Sequence, residues 1–427
     1  MKKIIRKIHL WIAFPIGIII TIICLTGAIL VFRPEIEESL HPERFFAKET
    51  HDKPMSLTEL IPLVNSQLEN NSIAGVTIPN NPKRNYIINL TEGFRAAAYV
   101  NPYTGKLIEI TKPEGGFFTK IMQLHRWLLD DTRKIGKPVV GYSTLLFVII
   151  LITGIIIIFP KTRKSLKRIF TIHINKGWTR FWYDMHISAG VYVVLILLVL
   201  ALSGLTWSFR WYSAGVYNLF GVELPAMNPN HGNSRGERTS QNQQTEQRNN
   251  RGERTSQNQQ AEQRNNRGER PAQNQQAEQR NSRGERNAQN QQAEQRDSIS
   301  EKNRQTTDFS HWQEVFEEIK KQNPDFKSIS IQNESASVSQ KRIWGNARAS
   351  DRYAFDAKTG VIKDYLPYSK QEKATKIRGW IYTLHVGAWG GLFSKIITFI
   401  AALTGASLPI TGYYFFCKKR KKRKKID

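Results

Sequence analysis

The chain contains 427 residues, of which 62 are Lys or Arg and 36 are Asp or Glu, giving a formal net charge of +26. A mean hydropathy of −0.44 excludes a membrane protein made only of spans. The charge does not favour nucleic-acid binding, because the basic residues cluster beside apolar runs, whereas residues 33–138 hold 14 basic and 13 acidic residues.

Four apolar runs each have about the 20 residues that cross a hydrocarbon core. They are Leu10–Phe32, Val139–Pro160, His186–Phe209 and Leu392–Cys417. Basic residues precede the first run, join the second to the third and follow the fourth, which predicts a multi-pass protein of the cytoplasmic (inner) membrane with both termini cytoplasmic. The first run is long and lacks a small-residue cleavage site, so we expect it to be retained rather than removed as a signal peptide.

The region after the first span carries the pattern of a small α+β module. Ser56-Leu57-Thr58-Glu59 has the form of a capping box and predicts a helix to about Asn70. Strand-like segments follow at Ile73–Ile78, Tyr86–Leu90, Ala96–Val100 and Lys106–Ile110.

The same order recurs after the third span, which indicates a duplicated chain. A helix is predicted near Ser310–Gln322, with strands near Ser328–Gln332, Ser335–Ile343, Arg352–Asp356 and Val361–Tyr365. Residues 235–298 interrupt this second module with four 16-residue units. The units contain no large apolar residue, so we expect a disordered insertion.

The predicted fold is a membrane all-α four-helix bundle built from two parallel repeats, with two small extracytoplasmic α+β modules and the disordered insertion. The regions in chain order are helix 1 at 1–32, module 1 at 33–120, an outer His segment with helix 2 at 121–160, a basic loop at 161–185, helix 3 at 186–209, module 2 at 210–378 including the repeats at 235–298, an outer His segment with helix 4 at 379–417, and a basic tail at 418–427.

Four histidines occupy matched positions in the two halves. His9 and His186 each lie 18 residues before the glycine of a Thr-Gly or Ser-Gly pair, and both begin spans that leave the cytoplasm. His125 and His385 precede the returning spans on the exported side. If the halves pack around a pseudo-twofold axis along the membrane normal, His9 faces His186 and His125 faces His385, which suggests a metal or haem site at each membrane face.

Other interpretations of these residues remain open. A histidine at a membrane interface also serves as a polar anchor or a hydrogen-bonded core residue, and duplication would copy either role. Zinc is disfavoured, because two histidines without Cys or carboxylate partners leave a tetrahedral site incomplete. The sequence has no C-x-x-C-H motif, so a haem would be held non-covalently. The Thr-Gly and Ser-Gly pairs are assigned to helix packing.

Cations and aromatic residues near the histidines have two interpretations each. Arg6 or Arg180 on the inner face, and Arg126 or Arg378 on the outer face, are candidate contacts for haem propionates, although basic flanks also follow from topology. The nearby residues Trp11, Trp127, Trp182, Trp380 and Trp389 fit an interfacial aromatic belt or packing against porphyrin. No nucleotide-binding or hydrolase motif is present, so an electron donor must be a separate molecule.

Several motifs together resemble the PepSY-associated transmembrane family, which includes iron-regulated membrane proteins and ferric-siderophore reductases. They are Lys7-Ile8-His9-Leu10-Trp11 with Thr26-Gly27, Leu124-His125-Arg126-Trp127, Trp182-Tyr183-Asp184-Met185-His186 with Gly190, Leu384-His385-Val386-Gly387 with Gly390-Gly391, and the hairpin Tyr99-Val100-Asn101-Pro102-Tyr103-Thr104-Gly105. The resemblance covers nearly all of the chain outside residues 235–298.

The resemblance implies a haem-binding electron-transfer protein that reduces ferric siderophores or other ferric chelates on the outer side of the cytoplasmic membrane. His9, His186, His125 and His385 become the expected axial ligands of two haem b groups. The implied partners are a ferric chelate, a cytoplasmic or membrane electron donor, and membrane lipid. The alternatives are a non-enzymatic membrane sensor or assembly factor whose PepSY-like modules bind envelope proteins or peptides, and a transporter, which the scarcity of acidic residues in the spans disfavours.

Overall fold

A computed structural model describes residues 2–50, 53–68, 72–91, 96–111, 115–159, 169–225, 308–341 and 344–423. The predicted disordered repeats at 235–298 lie outside these residues, as do most of the basic residues expected between the second and third spans.

Among the described residues, four helices are long and apolar enough to cross a membrane, as the sequence predicted. The helices are α1 (Lys2–Val31), α2 (Arg33–Leu40), α3 (Pro42–Phe45), α4 (Leu57–Ser66), α5 (Phe117–Trp127), α6 (Gly136–Ile158), α7 (Trp178–Ser208), α8 (Arg210–Leu219), α9 (Trp312–Gln322), α10 (Lys373–His385) and α11 (Gly391–Arg423). The candidate spans are α1, α6, α7 and the Gly391–Lys418 part of α11. Helices α1 and α7 begin before the predicted apolar runs, because the helix continues into the polar flank.

The four long helices pack as a ring in the order α1, α6, α7, α11. Helix α1 contacts α6 and α11, and α7 contacts the same two helices. Their shared core consists of aliphatic side chains and one aromatic ring: Ile16, Ile20, Phe147, Leu151, Val193, Leu197, Ala201 and Ala401. Each half of the chain therefore contributes two helices to one apolar core.

The polar regions between the spans form an eight-stranded antiparallel sheet. The strands are β1 (Ile73–Pro79), β2 (Tyr86–Leu90), β3 (Ala97–Val100), β4 (Leu107–Thr111), β5 (Phe326–Gln332), β6 (Ser335–Gln340), β7 (Ser350–Phe355) and β8 (Ile362–Leu366). Their order in the sheet is β4-β3-β2-β1-β5-β6-β7-β8. Helix α4 begins with the capping box predicted at Ser56 and Glu59.

The two predicted modules share one sheet and one core. Strands β1 and β5 pair directly, with Val76 opposite Ile331 and Pro79 opposite Ser328. Buried side chains of both halves, including Leu60 of α4 and Ile319 of α9, belong to the same apolar cluster. The sequence predicted separate modules, but each would have left its first strand as an unpaired edge, and pairing across the halves removes both edges.

The loop between β6 and β7 joins the sheet to helix α10. Thr383 is fully buried; its hydroxyl accepts a hydrogen bond from Ala347 N at 3.0 Å and donates one to Asn346 Oδ1 at 3.0 Å. The guanidinium of Arg348 lies 3.6 Å from the Tyr382 ring centroid. These contacts lie within one turn of His385, so the sheet directly supports the helix end that carries this histidine.

Candidate cofactor site

Four partly buried histidines lie in two pairs, one at each end of the ring of helices. His125 of α5 and His385 of α10 form the sheet-side pair, with ring centroids 6.1 Å apart and planes inclined at 55°. His9 of α1 and His186 of α7 form the basic-side pair and are close enough to interact electrostatically. Along α1, 17 residues separate His9 from Thr26, which contacts His125, or about 25 Å of helix.

Each histidine directs its Nδ1 atom at a hydroxyl group on a neighbouring helix. The Nδ1 to Oγ distances are 2.9 Å for His9–Thr153, 2.7 Å for His186–Thr411, 3.1 Å for His125–Thr26 and 3.1 Å for His385–Ser203. The sequence assigned these hydroxyl residues to helix packing, but in the structure they are also the polar partners of the histidines. With Nδ1 engaged, Nε2 is the nitrogen available to a ligand.

The glycine that follows each hydroxyl residue lies beside the same imidazole. A Cβ atom at Gly27 or Gly204 would be 3.2 or 3.1 Å from Cε1 of His125 or His385. At Gly154 and Gly412 the corresponding distances to His9 and His186 are 3.6 and 3.9 Å. Glycine is thus needed for close ring approach at the sheet-side pair, while the basic-side pair leaves more room.

The sheet-side pair has the separation expected of two ligands on one metal ion. An imidazole nitrogen lies about 2 Å from a bound metal and the ring centre roughly 1 Å behind that nitrogen, so two opposed ligands have ring centres about 6 Å apart. The observed distance is 6.1 Å. Two neutral imidazoles are a donor set that suits haem iron, so the residues present fit that group in donor type and in ring separation.

Burial keeps the sheet-side imidazoles neutral. Desolvation lowers the pKa of His125 to about 4, helped by the neighbouring His385 and Arg126 and opposed by a hydrogen bond to the Ile23 carbonyl. Desolvation also lowers the pKa of His385 to about 4. Both side chains are therefore in the form that donates a lone pair to a metal at physiological pH.

The four candidate arginines differ in their surroundings. Arg126 lies close enough to influence both His125 and His385, as an outer propionate contact would. Arg378 lies on α10 and interacts electrostatically with Tyr217, and Arg6 is exposed on α1. Arg180 pairs with Asp184 at 2.9 Å, so a propionate would have to compete with a buried carboxylate for it.

Two further features lie near the histidines and were not indicated by the sequence pattern. The Trp207 ring lies 5.0 Å from the His385 ring in an edge-on arrangement. At the other end, α7 contains a π-helical turn at Met185–Ala189 that includes His186. Asp184, 3% exposed, precedes this turn and accepts hydrogen bonds from the backbone and Nδ1 of His173, at 3.0 and 2.8 Å, and from Arg180. π-helical turns are common at functional sites, so this turn is an additional indication of a site at His186.

Within the described part of the chain, no three His, Cys, Asp or Glu side chains converge as a possible metal site. The candidate metal-binding side chains are therefore the two pairs of histidines. Fold and site together define a four-span helical membrane protein with a sheet domain and paired histidines at both ends of the helices.

Comparison with known families agrees with the resemblance stated from the motifs. Residues 6–419 match the family described as the PepSY-associated TM region, and the chain belongs to that family. The match extends over all four candidate spans apart from the first residues of α1. No curated protein matches the chain.

Proposed function

We propose that the protein binds two haem b groups and carries electrons across the cytoplasmic membrane to ferric siderophores or other ferric chelates on the outer side. The observation that carries this proposal is the sheet-side pair of neutral imidazoles. Their ring centroids lie 6.1 Å apart, and each Nδ1 is already hydrogen-bonded. The basic-side pair, with the same kind of hydroxyl contacts, supports a second site.

Charge supports the orientation that this function requires. Lys3, Arg6 and Lys7 are exposed at the start of α1, and Lys176 is exposed before α7. Basic residues flanking spans favour the cytoplasmic side. The basic-side pair would then face a cytoplasmic or membrane electron donor, and the sheet-side pair would face the exterior, where a ferric chelate arrives.

The protein residues have three roles in this proposal. The four imidazoles would hold and orient the iron porphyrins through Nε2, and Arg126, which lies close enough to act on both sheet-side histidines, would balance propionate charge there. The apolar core of the ring excludes water between the two ends. When bound, haem supplies the one-electron redox chemistry that the side chains lack. At each end the two imidazoles would hold the haem, so these histidines would not bind the ferric chelate themselves.

The ferric chelate is the substrate. It gains one electron and becomes a ferrous chelate, which holds its iron less tightly and releases it outside the membrane. The electron comes from a donor on the cytoplasmic side or in the membrane, because the chain carries no nucleotide- or flavin-binding motif.

The test uses the full chain in proteoliposomes. After chemical reduction under anaerobic conditions, a ferric hydroxamate chelate is added while b-type absorbance and trapped ferrous iron are recorded. We expect the absorbance to return to the oxidised form as ferrous iron appears, and we expect the His125→Gln/His385→Gln variant, which keeps only the basic-side haem, to show neither reoxidation by the chelate nor ferrous iron. His41→Gln is the control, since His41 is exposed and its Nδ1 lies 3.7 Å from Glu43 Oε1. A well-folded wild type without b-type absorbance would reject the proposal.

A sensor or assembly factor is the second candidate, and the buried contact between Asn346 and Thr383 favours it. This contact links the sheet to the helix of His385, so a protein or peptide bound to the sheet would be coupled to the membrane helices. Equal haem content in membranes containing wild type and a variant lacking all four histidines would favour this candidate. Haem lost only from the variant would favour electron transfer.

A further inference from the structure

We propose that Thr26, Thr153, Ser203 and Thr411 are positioning residues that hold the four histidines as the Nδ1–H tautomer, with the lone pair on Nε2. The inference rests on the proposed function only for the identity of the group that Nε2 binds. The tautomer itself follows from which neighbouring atoms can donate a proton and which can only accept one.

Each of the four hydroxyl groups has already used its proton within its own helix. Thr26 Oγ1 donates to Ile22 O at 2.7 Å, and Ser203 Oγ donates to Val199 O at 2.7 Å. Thr153 Oγ1 donates to Ile150 O at 2.9 Å, and Thr411 Oγ1 donates to Leu408 O at 2.8 Å. A hydroxyl has one proton and two lone pairs, so its remaining capacity is to accept. The proton between hydroxyl and imidazole therefore belongs to Nδ1.

A backbone carbonyl oxygen also lies beside each Nδ1, and it independently indicates that Nδ1 carries the proton. His125 Nδ1 lies 3.0 Å from Ile23 O, and His385 Nδ1 lies 3.0 Å from Leu200 O. A carbonyl can only accept, and an unprotonated Nδ1 would place two lone pairs against each other. His9 and His186 make the corresponding backbone contacts with Ile150 and Leu408. In all four cases the carbonyl belongs to the residue three positions before the hydroxyl residue.

One short segment both accepts the hydrogen bond from the imidazole and leaves room for its ring. The hydroxyl and the carbonyl of the preceding turn form a two-oxygen acceptor for Nδ1–H, and the glycine that follows admits the ring. The acceptor fixes both the tautomer and the rotation of the imidazole before any ligand binds. An Nδ1–H acceptor also increases the electron donation of Nε2 to a metal, as outer-sphere partners of ligating histidines commonly do.

The first test needs no haem. The full chain, labelled with ¹⁵N-histidine and prepared without haem in nanodiscs, is examined by NMR, and signals are assigned from single His→Gln variants. We expect His9, His125, His186 and His385 each to have a protonated Nδ1 and an unprotonated Nε2 at neutral pH. The opposite tautomer at these histidines would overturn the inference, whether or not haem binds. The expected tautomer in a protein that never takes up haem would leave the inference standing and reject the proposed function.

The second test removes one hydroxyl at a time. Thr153→Val keeps the shape but removes the acceptor, and we expect about 10-fold weaker haem binding at the basic side together with a more positive midpoint potential. Thr153→Ser should restore both values, since Ser203 already fills this position at His385. Thr144→Val is the matched control, because the Thr144 hydroxyl lies on the same helix and donates to the Val140 carbonyl of that helix. Equal affinity and potential in Thr153→Val and Thr144→Val would overturn the positioning role.

Discussion

The two histidine pairs are built from the same parts but are supported by different surroundings. At the sheet side, His385 ends α10. Thr383 of this helix donates a hydrogen bond to Asn346 of the β6–β7 loop. At the basic side, His186 lies in a π turn next to Asp184, which accepts hydrogen bonds from His173 and Arg180. The histidines and their hydroxyl partners are thus alike at the two ends, whereas the residues that surround them differ. The two sites are therefore expected to respond independently to mutation.

The largest expected effect is the loss of one site by removal of a histidine. His385→Gln should reduce haem from two groups per chain to one, because an iron with one axial imidazole is poorly retained at the sheet side. His9→Gln should do the same at the basic side. Haem stoichiometry and reduced-minus-oxidised spectra measure this. Loss of both haems from either single variant in a folded protein would show that the sites are not independent.

Asp184→Asn tests the support of the basic side. The side chain is 3% exposed and accepts charge-assisted hydrogen bonds, so its neutralisation should cost about 2 kcal/mol. Thermal unfolding and the spectrum of each haem are the measurements. We expect the basic-side signal to shift and the sheet-side signal to stay unchanged. Equal shifts in both would contradict separate support.

The glycines allow a direct comparison of crowding at the two sides. Alanine at Gly204 would place Cβ 3.1 Å from His385, whereas alanine at Gly412 would place it 3.9 Å from His186. Overpacking of this kind costs about 1–3 kcal/mol, and an ordinary contact costs little. Haem affinity should therefore fall in Gly204→Ala and be nearly unchanged in Gly412→Ala. The reverse order would show that the sheet-side ring does not lie where the structure places it.

The smallest effect is expected at the loop that links the sheet to α10. Asn346→Ala removes the acceptor of the buried Thr383 hydroxyl, which should cost about 1 kcal/mol. The change should slightly alter the sheet-side haem spectrum and leave the basic-side spectrum as in wild type. Electron paramagnetic resonance of the oxidised protein can separate the two signals. A change confined to the basic side would refute the proposed coupling.

Much of the fold follows from periodicity and composition. The four apolar helices are where the hydropathy indicated, and strand β2 covers the predicted residues Tyr86–Leu90. The capping box at Ser56 is also present, because this signal is local and needs no tertiary context. Joining of the two modules through β1 and β5 was not predictable, since nothing in either strand distinguishes an edge from an interior position.

The site was partly accessible to sequence analysis. The matched offsets of the histidines suggested a duplication and the two pairs. The same spacing placed Thr26 in the span of His9, but in the structure Thr26 contacts His125 and Thr153 contacts His9. Such contacts depend on which helices are neighbours in the ring, and spacing along one helix does not contain that information.

We propose that each end of the helical ring holds one haem between two histidines. The most direct measurement is the haem-to-polypeptide ratio of the purified full chain, determined for wild type, His125→Gln/His385→Gln and His9→Gln/His186→Gln. We expect two haems in wild type and one in each double variant, with different midpoint potentials for the remaining haem. A ratio near zero in folded wild type, or the same ratio in all three proteins, would contradict it.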